Sequence, residues 1–141
     1  MTMQKKYLAS IFNILSGVKT NFENSRIRNR FLNKIMDEQN IFKKELKDIA
    51  LALCDKDKDG KPKIDENGHY VFSGENLKQA EVEHLKLLSE EVTIDTSPVE
   101  IKVIKNLIET GNYNYEEQGV AEYLIKYLDG NGKENEPVKK E

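Results

Sequence analysis

Asp55, Asp57, Asp59, Gly60 and Glu66 stand at positions one, three, five, six and twelve of a calcium-binding loop, a spacing that places oxygen ligands around a hard cation. Three neighbouring features oppose that chemistry. Pro62 takes the eighth position, where an apolar residue normally joins a short strand, and Lys61 and Lys63 put positive charge beside the acids. In place of an exit helix the chain reads Asn67-Gly68-His69-Tyr70-Val71-Phe72. An Asn-Gly pair between β-formers signals a hairpin, so residues 62–64 and 69–72 are predicted as two short strands around Asp65-Glu66-Asn67-Gly68. The expected reading is a solvated helix stop and a hairpin, with no metal bound. An EF-hand-like calcium module using Asp55, Asp57, Asp59 and Glu66 is the alternative.

The arginines Arg26, Arg28 and Arg30 are the only ones in the chain. Within a turn and a half of helix they offer planar forks that can clamp phosphate or carboxylate. Arg26 and Arg30 share a face and Arg28 points elsewhere; a solvated face pairing with Glu23 is the plainer explanation. Tyr113, Tyr115, Tyr123 and Tyr127 crowd the C-terminal region, and tyrosine combines apolar area with a polar tip, as binding surfaces use it. Core packing explains Tyr123 and Tyr127 equally well, four residues apart. The candidate partner-binding set is therefore Arg26, Arg28, Arg30, Tyr113 and Tyr115. Cys54, His69 and His84 lack the short spacings of a structural zinc site. Cys54 ends an apolar stripe and is expected to be a small buried hydrophobe. Gly130-Asn131-Gly132-Lys133 has no following helix to frame a phosphate. With no nucleophile–base pair and no nucleotide loop, the chain is expected to be non-enzymatic and to need no cofactor.

The elements that must position these residues are mostly helices. Tyr7, Leu8, Ile11, Phe12, Ile14, Leu15 and Val18 recur at helical spacing and predict a first helix over residues 4–16. Asn24 or Ser25 can cap a second whose stripe, Ile27, Phe31, Ile35, Phe42, Leu46, Ile49 and Leu53, persists to Cys54, with Glu38 and Gln39 interrupting. Some thirty residues at 1.5 Å each would span roughly 45 Å. Such a helix is expected either to bend near residues 37–40 or to offer part of its length to a partner. Ser73 can cap a third helix with Leu77, Ala80, His84, Leu85 and Leu88 in one sector, and Val92-Thr93-Ile94 is locally extended. Ser97-Pro98-Val99-Glu100 combines an N-cap serine, proline at the first helical position and glutamate three residues after the cap, and Gly111 closes that helix. Asn114 with Glu117 opens a last one carrying Val120, Ala121, Leu124, Ile125 and Leu128.

The expected fold is mainly α: one compact helical domain over residues 1–130, of about five helices, one of them long, with a short β-hairpin insertion. Residues 131–141 are polar and carry Pro137, so they are predicted as a disordered tail. At 141 residues one domain with a real core is the natural outcome. No apolar run approaches bilayer length, so no membrane partner is expected and the chain reads as soluble and intracellular. Net charge is −3, but residues 1–54 carry +5 and residues 55–141 carry −8, an asymmetry that suits an interaction surface or self-association. The acidic balance, the absence of Trp and the lack of any recognition signature argue against nucleic acid.

Several motifs in order, Arg26-Ile27-Arg28-Asn29-Arg30-Phe31-Leu32, Asp57-Lys58-Asp59-Gly60-Lys61-Pro62, Glu66-Asn67-Gly68-His69-Tyr70-Val71-Phe72 and Glu90-Glu91-Val92, resemble a small family of uncharacterised phage and prophage proteins of Gram-positive bacteria, domain of unknown function family 1617. The resemblance covers residues 5–95. It implies a phage origin, brings no activity and no catalytic residue, and suggests that the acidic hairpin is scaffold. The expected function is binding to another protein, foremost a host defence or regulatory factor to be inhibited in the bacterial cytoplasm. A tail or baseplate component of the virion, or an assembly factor, is the alternative. Leftover apolar surface on the long helix favours a symmetric homodimer.

Overall fold

The computed structural model describes residues 1–128; the tail expected at 131–141 and the Gly130-Asn131-Gly132-Lys133 segment lie outside the described residues. The chain is mainly helical: β1 (Thr2–Gln4), a single 3₁₀ turn (Lys5–Tyr7), α1 (Leu8–Ser16), α2 (Phe22–Leu53), α3 (Gly74–Ser89), β2 (Glu91–Thr93), α4 (Pro98–Thr110) and α5 (Tyr115–Leu128). Packing divides the described residues into two compact units, 1–39 with 91–128, and 40–90. The division falls inside α2, beside the Glu38-Gln39 break in its apolar stripe.

In the first unit, β1 pairs antiparallel with β2, Met3 opposite Val92. The first helix expected from residue 4 therefore begins later, because Thr2–Gln4 is drawn into a strand by a partner some ninety residues away. Met3 is fully buried. Helix α1 packs on α4 and α5, and α4 packs on α5. Leu8, Ile11 and Leu15 of α1, Phe31 and Ile35 of α2, Ile104 and Ile108 of α4 and Leu124 of α5 are essentially removed from water, which supplies the dominant favourable term for this unit. Tyr123 lies in this core at its edge. Its ring stacks on Tyr7 with centroids 3.7 Å apart, it meets Tyr127 at 4.5 Å, and its hydroxyl accepts the Gln4 N–H at 3.0 Å. Burial raises the Tyr123 hydroxyl well above the ordinary tyrosine value.

Local signals set the helix ends. Asn21, rather than Asn24 or Ser25, caps α2, its Oδ1 accepting the Asn24 N–H at 2.8 Å; this satisfies one of the orphan donors of the first turn. Ser97 Oγ accepts the Glu100 N–H at 3.1 Å. The Glu100 carboxylate does not complete the box but accepts from Lys34 Nζ at 2.9 Å, while the same ammonium donates to the Asp95 carbonyl at 2.6 Å. That pair ties α2 to the start of α4. At α5 the box is complete: Glu117 N–H to Asn114 Oδ1 at 2.8 Å, and Asn114 N–H to Glu117 Oε1 at 3.0 Å.

The second unit comprises residues 40–53 of α2, an irregular segment and α3. Among the described residues its buried apolar side chains are Phe42, Cys54 and Leu87. Cys54 is a buried free thiol. Lys56 Nζ donates to the carbonyls of Leu51 at 2.8 Å and Cys54 at 2.9 Å, a cation placed on the carbonyl end of α2, where the helix dipole favours it.

Between the helices the predicted hairpin is reduced to single antiparallel bridges, Ile64 with Tyr70 and Lys56 with Pro62. Three extended stretches close on one another: Asp55 N–H donates to the Val71 carbonyl at 2.7 Å, Lys63 N–H to Asp55 at 2.8 Å and Val71 N–H to Lys63 at 3.1 Å. Ser73 holds the N-cap position of α3 without capping it. Its hydroxyl instead donates to the Asp55 carboxylate at 2.8 Å.

Candidate functional site

The acidic loop resolves into one turn used twice. Asp57 Oδ1 accepts the N–H groups of Asp59 at 2.8 Å and Lys61 at 3.0 Å, and its carbonyl accepts the Gly60 N–H at 2.9 Å. Eight residues on, Asp65 Oδ1 accepts Asn67 N–H at 2.8 Å and His69 N–H at 2.9 Å, and its carbonyl accepts the Gly68 N–H at 3.0 Å. Gly60 and Gly68 both sit in the left-handed region, φ 79 and 81, which glycine enters without a Cβ penalty. The His69 N–H holds the Asp65 carboxyl below the usual carboxylate range. The repeat Asp-x-Asp/Asn-Gly was legible in the letters, and it accounts for Asp57, Asp59 and Gly60 as turn chemistry. Asp55 is engaged by Ser73. Among the described residues no three of the His, Cys, Asp and Glu side chains gather in a way that could hold a metal ion; His69 and His84 are exposed, and Cys54 is buried.

The ends of α1 and α4 and the start of α5 meet around one cleft of the first unit, and Arg28 and Tyr113 lie beside it. Arg28 is half-buried there, and its guanidinium donates to the carbonyls of Val18 and, at 3.5 Å, Leu15, and to Ser25 Oγ at 3.1 Å. It closes the carbonyl end of α1. Tyr113 has a comparable role: its hydroxyl donates to the Ile108 carbonyl at 2.7 Å, and a methyl group on Gly111 would collide with its hydroxyl and ring. Burial raises the Tyr113 hydroxyl above its ordinary value, and the Glu117 carboxylate adds to this. Two of the five partner-binding candidates are thus internal fasteners. Charge and aromaticity mark them in the sequence, but the carbonyls they satisfy are contributed by other segments.

The other three face water. Arg26 and Arg30 are exposed on one face of α2, as their four-residue spacing requires, and among the described residues neither they nor Glu23 form an ion pair. Tyr115 is 95% exposed and Phe22, which the sequence reading passed over, 86%. Phe22 opens α2 and Tyr115 opens α5. A cleft of 510 Å³ in the first unit has Gly17, Val18 and Lys19 on one wall and Gly111, Asn112 and Tyr113 on the other. Arg26, Arg30, Phe22 and Tyr115 give the first unit a candidate platform of two guanidinium groups with no ion pair among the described residues and two exposed aromatic rings.

Among the described residues no helix is long and apolar enough to cross a membrane. No curated protein and no solved structure matches the chain. A family described as Protein of unknown function (DUF1617) matches residues 1–119, beyond the 5–95 over which the motifs were recognised and through α4 into the start of α5. The chain belongs to that family of proteins of unknown function.

Proposed function

We propose that the chain is a phage-encoded, non-enzymatic binding protein that docks on a bacterial host factor and blocks it. The observation that carries this reading is the exposure of Arg26, Arg30, Phe22 and Tyr115 in the first unit, the first three on the opening turns of α2 and the last at the start of α5. Arginine and large aromatic side chains are the residues on which interface energy concentrates, and guanidinium forks recognise carboxylates bidentately. The partner's matching face is therefore acidic with an apolar pocket. Arg28 and Tyr113 support the reading indirectly, because by closing the ends of α1 and α4 they hold the platform rigid and limit the ordering cost of binding.

The test is capture from a lysate of the bacterial host by the full chain, beside an Arg26→Glu/Arg30→Glu variant and a Tyr115→Ala variant. A specific host protein held by the full chain and lost from the charge-reversed variant, with helicity unchanged, supports the proposal. Removing one side of a buried charge pair costs on the order of 2–5 kcal/mol, enough to abolish capture. Undiminished capture by the folded double variant refutes the platform, and recovery of the chain in purified virus particles in place of host complexes would make it a virion component.

A further inference from the structure

The second unit leaves uncovered the apolar sector that its own helices build. Leu46, Ile49 and Ala50 of α2 face Leu77, Ala80 and Leu85 of α3 across an open cleft of 630 Å³. Leu77 is 41% exposed and Leu85 63%. Apolar side chains gathered at one exposed cleft are surface that association can cover. We propose that the cleft is closed by the same cleft of a second copy of this chain, with α2 of one copy lying along α3 of the other about a two-fold axis. This is independent of the host-facing platform, which lies on the first unit.

Three observations select a second copy. The first is self-complementarity, which a two-fold interface demands. Leu85 projects from one wall, while Ala50 and Ala80 leave room on the walls for a side chain of that size.

The second is charge. Lys43 and Lys47 are exposed and border the Leu46 stripe of α2 on its outer shoulder, whereas Glu81 stands in the α3 wall. Laying α2 against α3 of the other copy brings the lysines to Glu81 twice over. Laying α2 against α2 would set lysines on lysines, and such like-charge juxtaposition suppresses wrong arrangements.

The third is area. Residues 40–53 and the 16 residues of α3 give helices about 21–24 Å long and about 10 Å wide. Their joint face has a footprint of about 400 Å², which side-chain relief raises towards the roughly 800 Å² per partner of a standard interface.

Light scattering on the full chain tests this. At micromolar and higher concentrations the expected mass is twice the 16.3 kDa of one chain. Leu85→Lys, at a site exposed in the single chain, is expected to give the single-chain mass with unchanged helicity, a weakening on the order of 100-fold or more for loss of a central anchor. Lys47→Glu is expected to weaken association several-fold, in keeping with partly exposed ion pairs, and Lys47→Glu/Glu81→Lys to restore it. A single-chain mass for the unaltered protein up to several hundred micromolar overturns the proposal, even if another protein then occupies the cleft. So does a dimer that Leu85→Lys leaves intact, or a charge swap that fails to restore what Lys47→Glu removes.

Discussion

Ile35 and Ile49 lie on one helix and one stripe, yet Ile35 is fully buried and Ile49 lines an open cleft. What differs is the number of segments that come to meet them. In the first unit α1, α4, α5 and the β1–β2 ribbon bring buried side chains to a core to which α2 adds Phe31 and Ile35, and most of these elements come from distant sequence. In the second, residues 40–90 supply one further helix and a segment of tight turns. A piece of about 50 residues is near the size at which a chain no longer encloses a core, and here it buries Phe42, Cys54 and Leu87. The same kind of amphipathic stripe is a core component where other layers exist and lines an open cleft where they do not.

The contrast breaks most directly at Phe31. It is fully enclosed, and Phe31→Ala is expected to cost about 3–5 kcal/mol by transfer and cavity terms. Ile49→Ala, measured below the concentration of any association, is expected to cost about 1 kcal/mol, since little of its surroundings is close-packed. Denaturant unfolding of the two variants checks both values; equal losses would mean that the second unit has a closed core of its own.

Next in size is Arg28. Removing a charged donor from two helix-terminal carbonyls costs about 1.5–3 kcal/mol, so Arg28→Met is expected to lower stability by that amount. Arg26→Met and Arg30→Met, at exposed unpaired sites, should stay within about 0.5 kcal/mol. Thermal melts of the three variants separate the fastener from its two neighbours. A result in which all three behave alike would remove the distinction drawn between them.

Amide exchange sharpens the comparison inside a single helix. Amides of residues 26–39 are expected to exchange at least tenfold more slowly than those of residues 44–52, about 1.4 kcal/mol of local opening, because the first stretch adds Phe31 and Ile35 to a core and the second lines an open cleft. Uniform protection along α2 would show that the two parts open together.

How much of this was legible in the sequence depends on where each signal lives. Ser97-Pro98 and Asn114 with Glu117 carry their capping partners within four residues, so α4 and α5 were read with the right starts. The Asn67-Gly68 turn was read for the same reason. β1 was not, since a three-residue strand exists only through Glu91–Thr93. Asn21, Asn24 and Ser25 are all capping residues by type, and side-chain geometry decided for Asn21. The periodicity of α3 predicted its apolar sector but could not say that Leu85 faces water. Arg28 and Tyr113 read as surface chemistry because their acceptors, on Leu15, Val18 and Ile108, belong to tertiary structure or to a fold-back that no spacing rule encodes.

A smaller effect is expected from the turns of the second unit under acid. The His69 N–H favours the charged Asp65 carboxylate, so its folded pKa lies below the ordinary 3.8. A carboxyl with a depressed folded value contributes stability that is present above 3.8 and fades as pH falls through the lower folded value. The site is fully exposed, so the change should register locally. An NMR titration of the Asp65 carboxyl and the His69 amide should show a common midpoint below 3.8, and a midpoint at or above it would mean that the turn is not held by this bond in solution.

The smallest expected effect is that of calcium. In the EF-hand register an ion would share carboxylate oxygens that already accept hydrogen bonds, Asp57 Oδ1 from the Asp59 and Lys61 amides and the Asp55 oxygens from Ser73. It would also require Glu66 to close the site past Pro62, beside Lys61 and Lys63. The turn gains nothing from the ion that the protein has not already arranged with its own amides. A ligand selective for the native state must raise its melting temperature, by about 2.7 kcal/mol of stability at a hundredfold excess over its Kd. Millimolar calcium is therefore expected to leave the melt of the full chain unchanged, as it should that of Asp55→Ala and Glu66→Ala. Micromolar binding by calorimetry, abolished in both variants, would instead make the acidic segment a metal site and the second unit a region completed by an ion.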